Sequence, residues 1–179
     1  DRDSSRTKRT TIVESSVPAS FDTMNPAEQL LKIVDVSLRI PSGPRVLLVR
    51  LSAVGDCVQT MPLASAIRRQ WPDAHLTWVV ERGAAPLVAA HEAVDRLLVL
   101  PKCFLTSLRT LTKLRGELRQ HAFDIAFDPQ GLTKSGIVSW LSGARRRIGF
   151  VRPFAREFNP WLQTEHVTPR SSHRSEEHT

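Results

Sequence analysis

The sequence predicts an α/β fold in which helices cover both faces of a parallel sheet. From Arg45 onward, short apolar runs alternate with amphipathic stretches, which is the pattern of successive βα units. The apolar runs, such as Val46 to Leu51, are nearly continuous, as expected for strands buried on both faces. Pro72 follows the first amphipathic stretch and disfavours helical geometry in the residue before it, so a helix should end there.

The alternation predicts five strands and four helices. The strands are expected at Val46 to Leu51, His75 to Glu81, Arg96 to Leu100, Asp124 to Asp128 and Arg147 to Phe150. The first helix should run from about Asp56 to Gln70, the second from Ala84 to His91 and the fourth from Thr133 to Leu141. The third helix should bury a stripe formed by Leu105, Leu108, Leu111, Leu114 and Leu118.

The expected domain covers residues 45–168, with flanks on either side. Residues 1–23 are rich in Ser, Thr and Arg without a sustained period, which is typical of a disordered arm. Met24 to Ile40 has apolar residues at helical spacing, so we expect a short helix there and Met24 as the native start. Residues 169–179 are polar, and their last six resemble translated adapter sequence. We expect a disordered, non-native tail.

The composition limits the class of protein. Of the 179 residues, 41% are hydrophobic and 24% are charged, as in a soluble globular domain. No apolar stretch approaches the roughly 20 residues of a membrane-spanning helix. Cys57 and Cys103 are far apart in the sequence, so we expect reduced thiols and neither a disulfide framework nor a zinc site. The basic N-terminus lacks the apolar segment of a secretory signal, which points to the cytoplasm.

The net charge of +7 favours an anionic partner by long-range attraction. Nucleic acid, an anionic membrane surface and a phosphorylated substrate all fit, and a charge count does not separate them.

The loop after the first strand, Ser52 to Asp56, should lie at the carboxyl edge of the sheet, where open α/β folds bind ligands. Gly55 would permit close backbone approach or a positive φ. Asp56 has two interpretations at this stage: an N-cap of the following helix, or a general base for a substrate hydroxyl. The loop is neither Gly-x-Gly-x-x-Gly nor a P-loop, so dinucleotide and nucleoside triphosphate binding are not supported.

A second loop, Asp128 to Ser135, should reach the same cleft from the fourth strand. Gly131 and the following amides could cradle an anionic group, with Gln130 as donor and Lys134 as countercharge. The alternative is a plain βα loop with Thr133 as the N-cap. Asp56 and Asp128 could suggest a carboxylate pair for a metal, but no further ligand accompanies them, and we expect no metal.

Arginines and aromatic residues are scattered over the rest of the domain. Arg145 to Arg147, Arg152 and Arg156 are candidates for phosphate or carboxylate recognition, although each could equally be a solvated surface charge. The four tryptophans are too dispersed for a base-stacking surface, and we interpret them as packing residues.

Three stretches together resemble glycosyltransferase family 9, the lipopolysaccharide heptosyltransferases. They are Arg45 to Asp56, Thr60-Met61-Pro62-Leu63 and Asp128 to Ser135, in this order and spacing. Trp78 to Glu81 and Ala155-Arg156-Glu157 add to the resemblance, which covers roughly Arg45 to Val167.

The resemblance implies the N-terminal, acceptor-binding half of an enzyme with two Rossmann-like domains, the GT-B arrangement, without the C-terminal domain that binds the donor. Asp56 would deprotonate the acceptor hydroxyl, which attacks ADP-heptose with inversion and without a metal or other cofactor. The implied acceptor is an acidic glycolipid, Kdo-bearing lipid A, at the inner face of the inner membrane. The implied acceptor-binding residues are Arg50, Ser52, Gly55, Arg82, Gln130, Gly131, Lys134 and Arg156. We expect a cytoplasmic, peripheral, monomeric protein, inactive as this half alone.

Two alternatives remain open from the sequence. A family 9 enzyme with another sugar donor would share the same first half. A basic nucleic-acid-binding module would fit the pI of about 10.4, although no reading motif is present.

Overall fold

The structure is a computed structural model of the chain, and it describes residues 43–152 and 154–168. The predictions made for residues 1–42 and 169–179, including the helix at Met24 to Ile40 and the tail, lie outside the described residues.

The described chain alternates strands and helices, as expected from the sequence. The strands are β1 (Arg45–Val49), β2 (His75–Glu81), β3 (Arg96–Leu100), β4 (Ile125–Asp128), β5 (Arg146–Phe150) and β6 (Glu165–Val167). The helices are α1 (Val54–Gln70), α2 (Ala85–Ala89), α3 (Leu108–Gln120), α4 (Thr133–Leu141) and α5 (Asn159–Leu162), with a 3-10 turn at Phe104–Thr106. The predicted strands and helices are therefore all present, with ends shifted by up to a few residues.

All six strands are parallel and lie in the order β3-β2-β1-β4-β5-β6. This is the order of a doubly wound, Rossmann-like sheet, so the predicted fold class is confirmed. The order reverses between β1 and β4, whose register pairs Leu48 with Phe127. In such sheets the ligand-binding crevice lies beyond the carboxyl ends of the strands at this point.

The sheet is buried on both faces, which explains the continuous apolar runs of the strands. In β1, Val46 and Leu48 belong to one core cluster and Leu47 and Val49 to the other. Residues of α1 and α2 complete the first cluster, and residues of α3 and α4 complete the second. None of the described helices is both long and apolar enough to span a bilayer.

Two predictions about the elements were wrong or incomplete. Leu105 and Leu108 do not belong to the buried stripe of α3: Leu105 lies in the 3-10 turn and Leu108 is 82% exposed. The sequence also did not predict α5 and β6. Both are short, and β6 contains a single apolar residue, Val167, so neither produces a periodic pattern.

A buried carboxylate holds this last part of the domain to β4. Asp128 ends β4 and is fully buried. Its Oδ1 accepts the N–H groups of Gln130 (3.1 Å) and Gly131 (3.2 Å). Its Oδ2 accepts the Ser135 hydroxyl (3.0 Å), Asn159 Nδ2 (2.6 Å) and Gln163 Nε2 (3.0 Å). One side chain thus joins a loop, α4, α5 and the residues before β6.

The loop beyond Asp128 needs glycine at position 131. Gly131 has φ of 69°, and a Cβ there would lie 3.2 Å from both the Ala155 Cα and the Phe154 carbonyl oxygen. The Gly131 carbonyl oxygen accepts the Arg156 N–H at 2.8 Å. The backbone of the β4–α4 loop is therefore in direct contact with the segment that follows β5.

The Asp128 carboxyl should make stability depend on pH. Burial raises its pKa from 3.8 to about 6, while hydrogen bonds from Asn159, Ser135, Gly131 and Gln130 oppose the rise. Because the folded pKa is the higher one, the contribution of protonated Asp128 is fully present below 3.8 and lost as the pH rises through about 6. We expect the unfolding free energy of the natural chain, relative to Asp128→Asn, to fall by up to about 3 kcal/mol across this window. Urea denaturation of both proteins over the window measures this, and a pH-independent difference would contradict it.

Gly131→Ala should destabilise the domain by about 2 kcal/mol, because alanine is strained at positive φ and its Cβ meets backbone atoms. The matched control is Gly116→Ala in α3, where an added Cβ meets no heavy atom within 4 Å. There we expect a gain of up to about 1 kcal/mol from helix propensity. Thermal or urea denaturation compares the two, and equal effects would show that the contact at Gly131 is not restrictive.

Candidate active site

The candidate site is formed by the loops that follow β1 and β4, which are adjacent strands. Three hydrogen bonds join the loops across the crevice. Arg50 Nη1 donates to the Pro129 carbonyl oxygen at 2.9 Å, and the Leu51 N–H donates to Gln130 Oε1 at 2.8 Å. Lys134 Nζ donates to Ser52 Oγ at 3.3 Å. The prediction that both loops face the same cleft is confirmed by these contacts.

Asp56 lies in the first turn of α1, at the mouth of this cleft. Its side chain is 45% exposed, and Oδ2 forms an ion pair with Arg50 Nη2 at 2.6 Å. The same Oδ2 accepts the Ala53 N–H at 3.2 Å. No described residue donates a hydrogen bond to Oδ1. The carboxylate is thus fixed through one oxygen and offers the other to a ligand.

Asp56 is not the N-cap of the helix. Helix α1 begins at Val54 and its N-cap is Ala53, so Asp56 is the third residue of the helix. There its carboxylate accepts the N–H of the N-cap residue, which is the reciprocal half of a capping box. The position still suits a negative charge, because the free N–H groups and the helix dipole favour one at this end.

Gly55 is not required for backbone conformation. It lies in the first turn of α1, it is not among the glycines with positive φ, and an added Cβ would meet no heavy atom within 4 Å. The expectation of a positive φ at this position was wrong. Its contact with an acceptor stays a prediction.

The Arg50 side chain is largely buried inside the site. Its side chain is 14% exposed, and its two terminal nitrogens bind Asp56 and the Pro129 carbonyl oxygen. Trp78 Nε1 donates to the Arg50 carbonyl oxygen at 3.2 Å, which fixes the backbone as well. The arrangement makes Arg50 a positioning residue for Asp56.

Sequence reasoning missed Glu81, the last residue of β2, as a site residue. Its side chain is 8% exposed, and Oε1 lies 2.8 Å from Lys134 Nζ. Lys134 also donates to Ser52 Oγ, so its ammonium group is shared between the loop after β1 and the end of β2. The sequence could have indicated Glu81, because its carboxylate directly follows three apolar residues, Trp78 to Val80, at the end of a strand. Lys134 is therefore a partly neutralised cation.

In the second loop, where an anionic ligand was expected to bind, the structure places the carboxylate of Asp128. The N–H groups of Gln130 and Gly131 donate to the Asp128 carboxylate. Gln130 Oε1 is occupied by the Leu51 N–H. Of the amides that were predicted to hold a ligand, the Gly131 N–H instead binds Asp128 and holds this loop in shape. Asp128 is therefore the second residue whose role the sequence did not reveal.

Thr133 is not the N-cap of α4. The N-cap is Leu132, and the Thr133 hydroxyl oxygen accepts the Phe158 N–H at 3.2 Å. The Leu132 N–H donates to Ser135 Oγ at 3.2 Å instead. The start of α4 is therefore stabilised from within its first turn and from the segment before α5.

Arg82 and Arg156 are exposed at the edge of the cleft. Arg82 directly follows β2, next to Glu81, and the Arg156 N–H binds Gly131 in the second loop. No described residue forms an ion pair with either guanidinium group. Both are available for an anionic ligand.

The arginine run after α4 has structural partners. Arg146 forms a bidentate ion pair with Glu165 of β6. Arg147 donates to the carbonyl oxygens of Leu162 (2.8 Å) and Ala144 (3.0 Å), and burial lowers its pKa. Arg146 and Arg147 are thus engaged within the protein, whereas Arg145 is exposed.

Within residues 43–152 and 154–168, no three His, Cys, Asp or Glu side chains are grouped closely enough to hold a metal ion. Cys57 follows Asp56 and is buried. Its Sγ lies 3.7 Å from the Arg50 carbonyl oxygen, and burial raises the pKa of its thiol. It packs against the site as a neutral side chain.

Lys134→Met should destabilise the domain by about 1–3 kcal/mol, because it leaves the Glu81 carboxylate buried without a cation. The partial exposure of Lys134 keeps the effect below that of a fully buried pair. Adding Glu81→Gln should recover part of the loss, since the unpaired charge is then removed. Urea denaturation of the two single variants and the double variant measures this coupling. Strictly additive effects would show that the pair is not energetically linked.

Comparisons with known proteins agree with the fold. No family model matches the sequence. The chain is 33% identical over 120 residues to lipopolysaccharide heptosyltransferase 1 of Pseudomonas aeruginosa, covering 63% of this chain and 34% of that protein. The chain thus spans about a third of the length of the curated relatives it matches.

Solved structures with the same fold include heptosyltransferases. The Escherichia coli heptosyltransferase WaaC with ADP-2-deoxy-2-fluoro heptose matches with a TM-score of 0.63 and 26% identity, over 73% of this chain and 44% of that one. A glycosyl transferase family 9 protein from Veillonella parvula matches with a TM-score of 0.58 and 21% identity, over 67% and 36%. Over the matched region, the chain is thus similar in sequence to lipopolysaccharide heptosyltransferases and has the fold of solved glycosyltransferase family 9 structures.

Proposed function

We propose that this chain supplies the acceptor-binding half and the catalytic carboxylate of a lipopolysaccharide heptosyltransferase. The reaction would transfer heptose from ADP-heptose to an acidic glycolipid of the Kdo–lipid A type. The observation that carries the proposal is the geometry of Asp56, which is anchored through Oδ2 at the ligand-binding edge of the sheet while Oδ1 is left open. The similarity to heptosyltransferases supports the choice of sugar.

The proposed step is a direct displacement with inversion. Asp56 Oδ1 takes the proton of the acceptor hydroxyl as the hydroxyl oxygen attacks the anomeric carbon of the heptose. The bond from that carbon to the diphosphate breaks, and ADP leaves with the electron pair. A second domain would hold ADP-heptose opposite Asp56, and no metal ion takes part.

Arg82 and Arg156 are the proposed ligands of the carboxylate and phosphate groups on the acceptor, because both guanidinium groups are exposed at the cleft edge. Ser52, Gly55 and Lys134 would line the acceptor site. Arg50, Gln130 and Gly131 would contribute indirectly, by holding the two loops in place. The net charge of +7 would assist the approach of such an acceptor.

We further propose that the protein works as a monomer in the cytoplasm, at the inner face of the inner membrane, where a lipid-anchored acceptor is presented. It would need no resident cofactor, since ADP-heptose is a substrate.

Asp56→Asn tests the catalytic proposal. The amide retains an oxygen for the Ala53 N–H but cannot accept the proton, so transfer should fall by about 10²–10⁴-fold. Turnover is measured in a two-domain protein made by joining this chain to the remainder of the E. coli heptosyltransferase. Acceptor affinity is measured on the chain itself by calorimetry, with a deacylated Kdo–lipid A oligosaccharide, and should change little.

The matched control is Asp73→Asn, an exposed aspartate in the turn after α1, which should leave transfer unchanged. Full activity of Asp56→Asn would refute the proposed base. Loss of folding in the Asp56 variant, detected by circular dichroism, would assign Asp56 to the stability of α1 instead.

A further inference from the structure

Three large aromatic side chains project into solvent near the candidate site. Phe154, Phe158 and Trp161 are 47%, 58% and 74% exposed. The rings of Phe158 and Trp161 are in contact, with centroids 5.4 Å apart and planes inclined by 55°. The fold buries other aromatic residues completely, such as Trp78 at 0% exposure. We call Phe154, Phe158 and Trp161 the aromatic ridge.

Arginine side chains accompany the aromatic ridge. Arg152 and Arg156 are both exposed, and Arg152 Nη2 donates to the Glu157 carbonyl oxygen at 3.0 Å. Glu157 adds one exposed carboxylate, so the cations outnumber the anions along this segment. Exposed rings beside guanidinium groups are complementary to a surface with an apolar interior and an outer layer of negative charge.

The backbone of the same segment contacts the second loop of the candidate site. The Arg156 N–H binds the Gly131 carbonyl oxygen at 2.8 Å, and the Phe158 N–H binds Thr133 Oγ1 at 3.2 Å. A surface that meets the aromatic ridge is therefore adjacent to the cleft that contains Asp56.

We propose that the aromatic ridge, with Arg152 and Arg156, is the surface through which the chain contacts an anionic phospholipid bilayer. The rings enter the interface between headgroups and acyl chains, and the guanidinium groups bind lipid phosphates. The proposal rests on the proposed function, in which the acceptor is a glycolipid. When the aromatic ridge is bound to a bilayer, a lipid-anchored sugar in that bilayer lies next to the edge of the cleft.

The test measures co-sedimentation of the 179-residue chain with two kinds of sucrose-loaded vesicles. One is pure phosphatidylcholine, and the other contains phosphatidylglycerol in addition; neither contains the glycolipid. The chain should partition into the anionic vesicles more strongly than into the neutral ones. Phe158→Ser combined with Trp161→Ser should weaken this binding roughly tenfold, because partly buried aromatic area is lost. Arg152→Gln combined with Arg156→Gln should remove most of the preference for anionic lipid.

The matched control is Trp140→Ser, since Trp140 is a 51% exposed tryptophan near the end of α4. This variant should bind vesicles as the natural chain does, and circular dichroism should show that all variants are folded. Equal vesicle binding by the natural chain and the Phe158/Trp161 variant overturns the proposal, as does absence of binding to anionic vesicles. Dissociation of a dimer by the same two substitutions, seen by analytical ultracentrifugation without vesicles, also overturns it and makes the ridge a self-interface.

The same variants separate this proposal from the proposed function. Affinity for the deacylated, water-soluble acceptor oligosaccharide should be unchanged in Phe158→Ser/Trp161→Ser, because the ridge contacts lipid and not sugar. Loss of oligosaccharide binding in this variant would place the ridge in the acceptor site and overturn the membrane proposal. Failure of the natural chain to bind the oligosaccharide would count against the proposed function, whatever the vesicle result.

Discussion

The buried carboxylate of Asp128 is the constraint on which the arrangement of the site depends. A fully buried carboxylate without an adjacent cation is tolerated only when hydrogen-bond donors surround it. Here the donors come from the loop after β4, from Ser135 in α4, from Asn159 in α5 and from Gln163 before β6. The last helix and strand are too short to be held by apolar burial alone. Hydrogen bonds to Asp128 help to place α5 and the residues before β6. The Arg146–Glu165 ion pair and the bond from Arg147 to the Leu162 carbonyl oxygen hold the same elements to β5.

This constraint also decides what the second loop can do. The Gly131 N–H, which was expected at an anion site, donates to Asp128 together with the Gln130 N–H, so this part of the loop supports the site. Its support reaches Asp56 through Arg50, whose guanidinium group bridges the Pro129 carbonyl oxygen and the Asp56 carboxylate. The groups left open to a ligand are Asp56 Oδ1 at the centre and the arginines of positions 82 and 156 at the edge. A fixed carboxylate flanked by exposed cations suits a reaction in which charge must be bound and one proton removed.

Much of this could be predicted from the sequence, and the failures share a cause. Strands buried on both faces and amphipathic helices give strong local patterns, so the sheet and its carboxyl edge followed directly, and with them the position of Asp56. The partners of polar side chains depend instead on contacts between residues far apart in sequence. Asp128 meets Gln163 and Arg50 meets Pro129 only in the folded chain. The sequence does not reveal the ion pair between Glu81 and Lys134 for the same reason. Gln130, which was assigned to the acceptor, accepts the Leu51 N–H through its Oε1, and its contact with an acceptor stays a prediction.

The Arg50–Asp56 pair has a further electrostatic consequence for an acidic acceptor. A bare carboxylate in the cleft would repel a ligand that carries carboxylates and phosphates, and the repulsion grows as the ligand displaces water. Arg50 offsets the charge of Asp56 locally by binding its Oδ2, and in the proposed reaction the other oxygen, Oδ1, would take the proton. The ion pair is only partly exposed, so solvent screens it less than a surface pair. In the proposed reaction, the contact that orients Asp56 would also permit a negatively charged acceptor to approach it, so the proposed functional unit of this edge of the sheet is the Arg50–Asp56 pair rather than Asp56 alone.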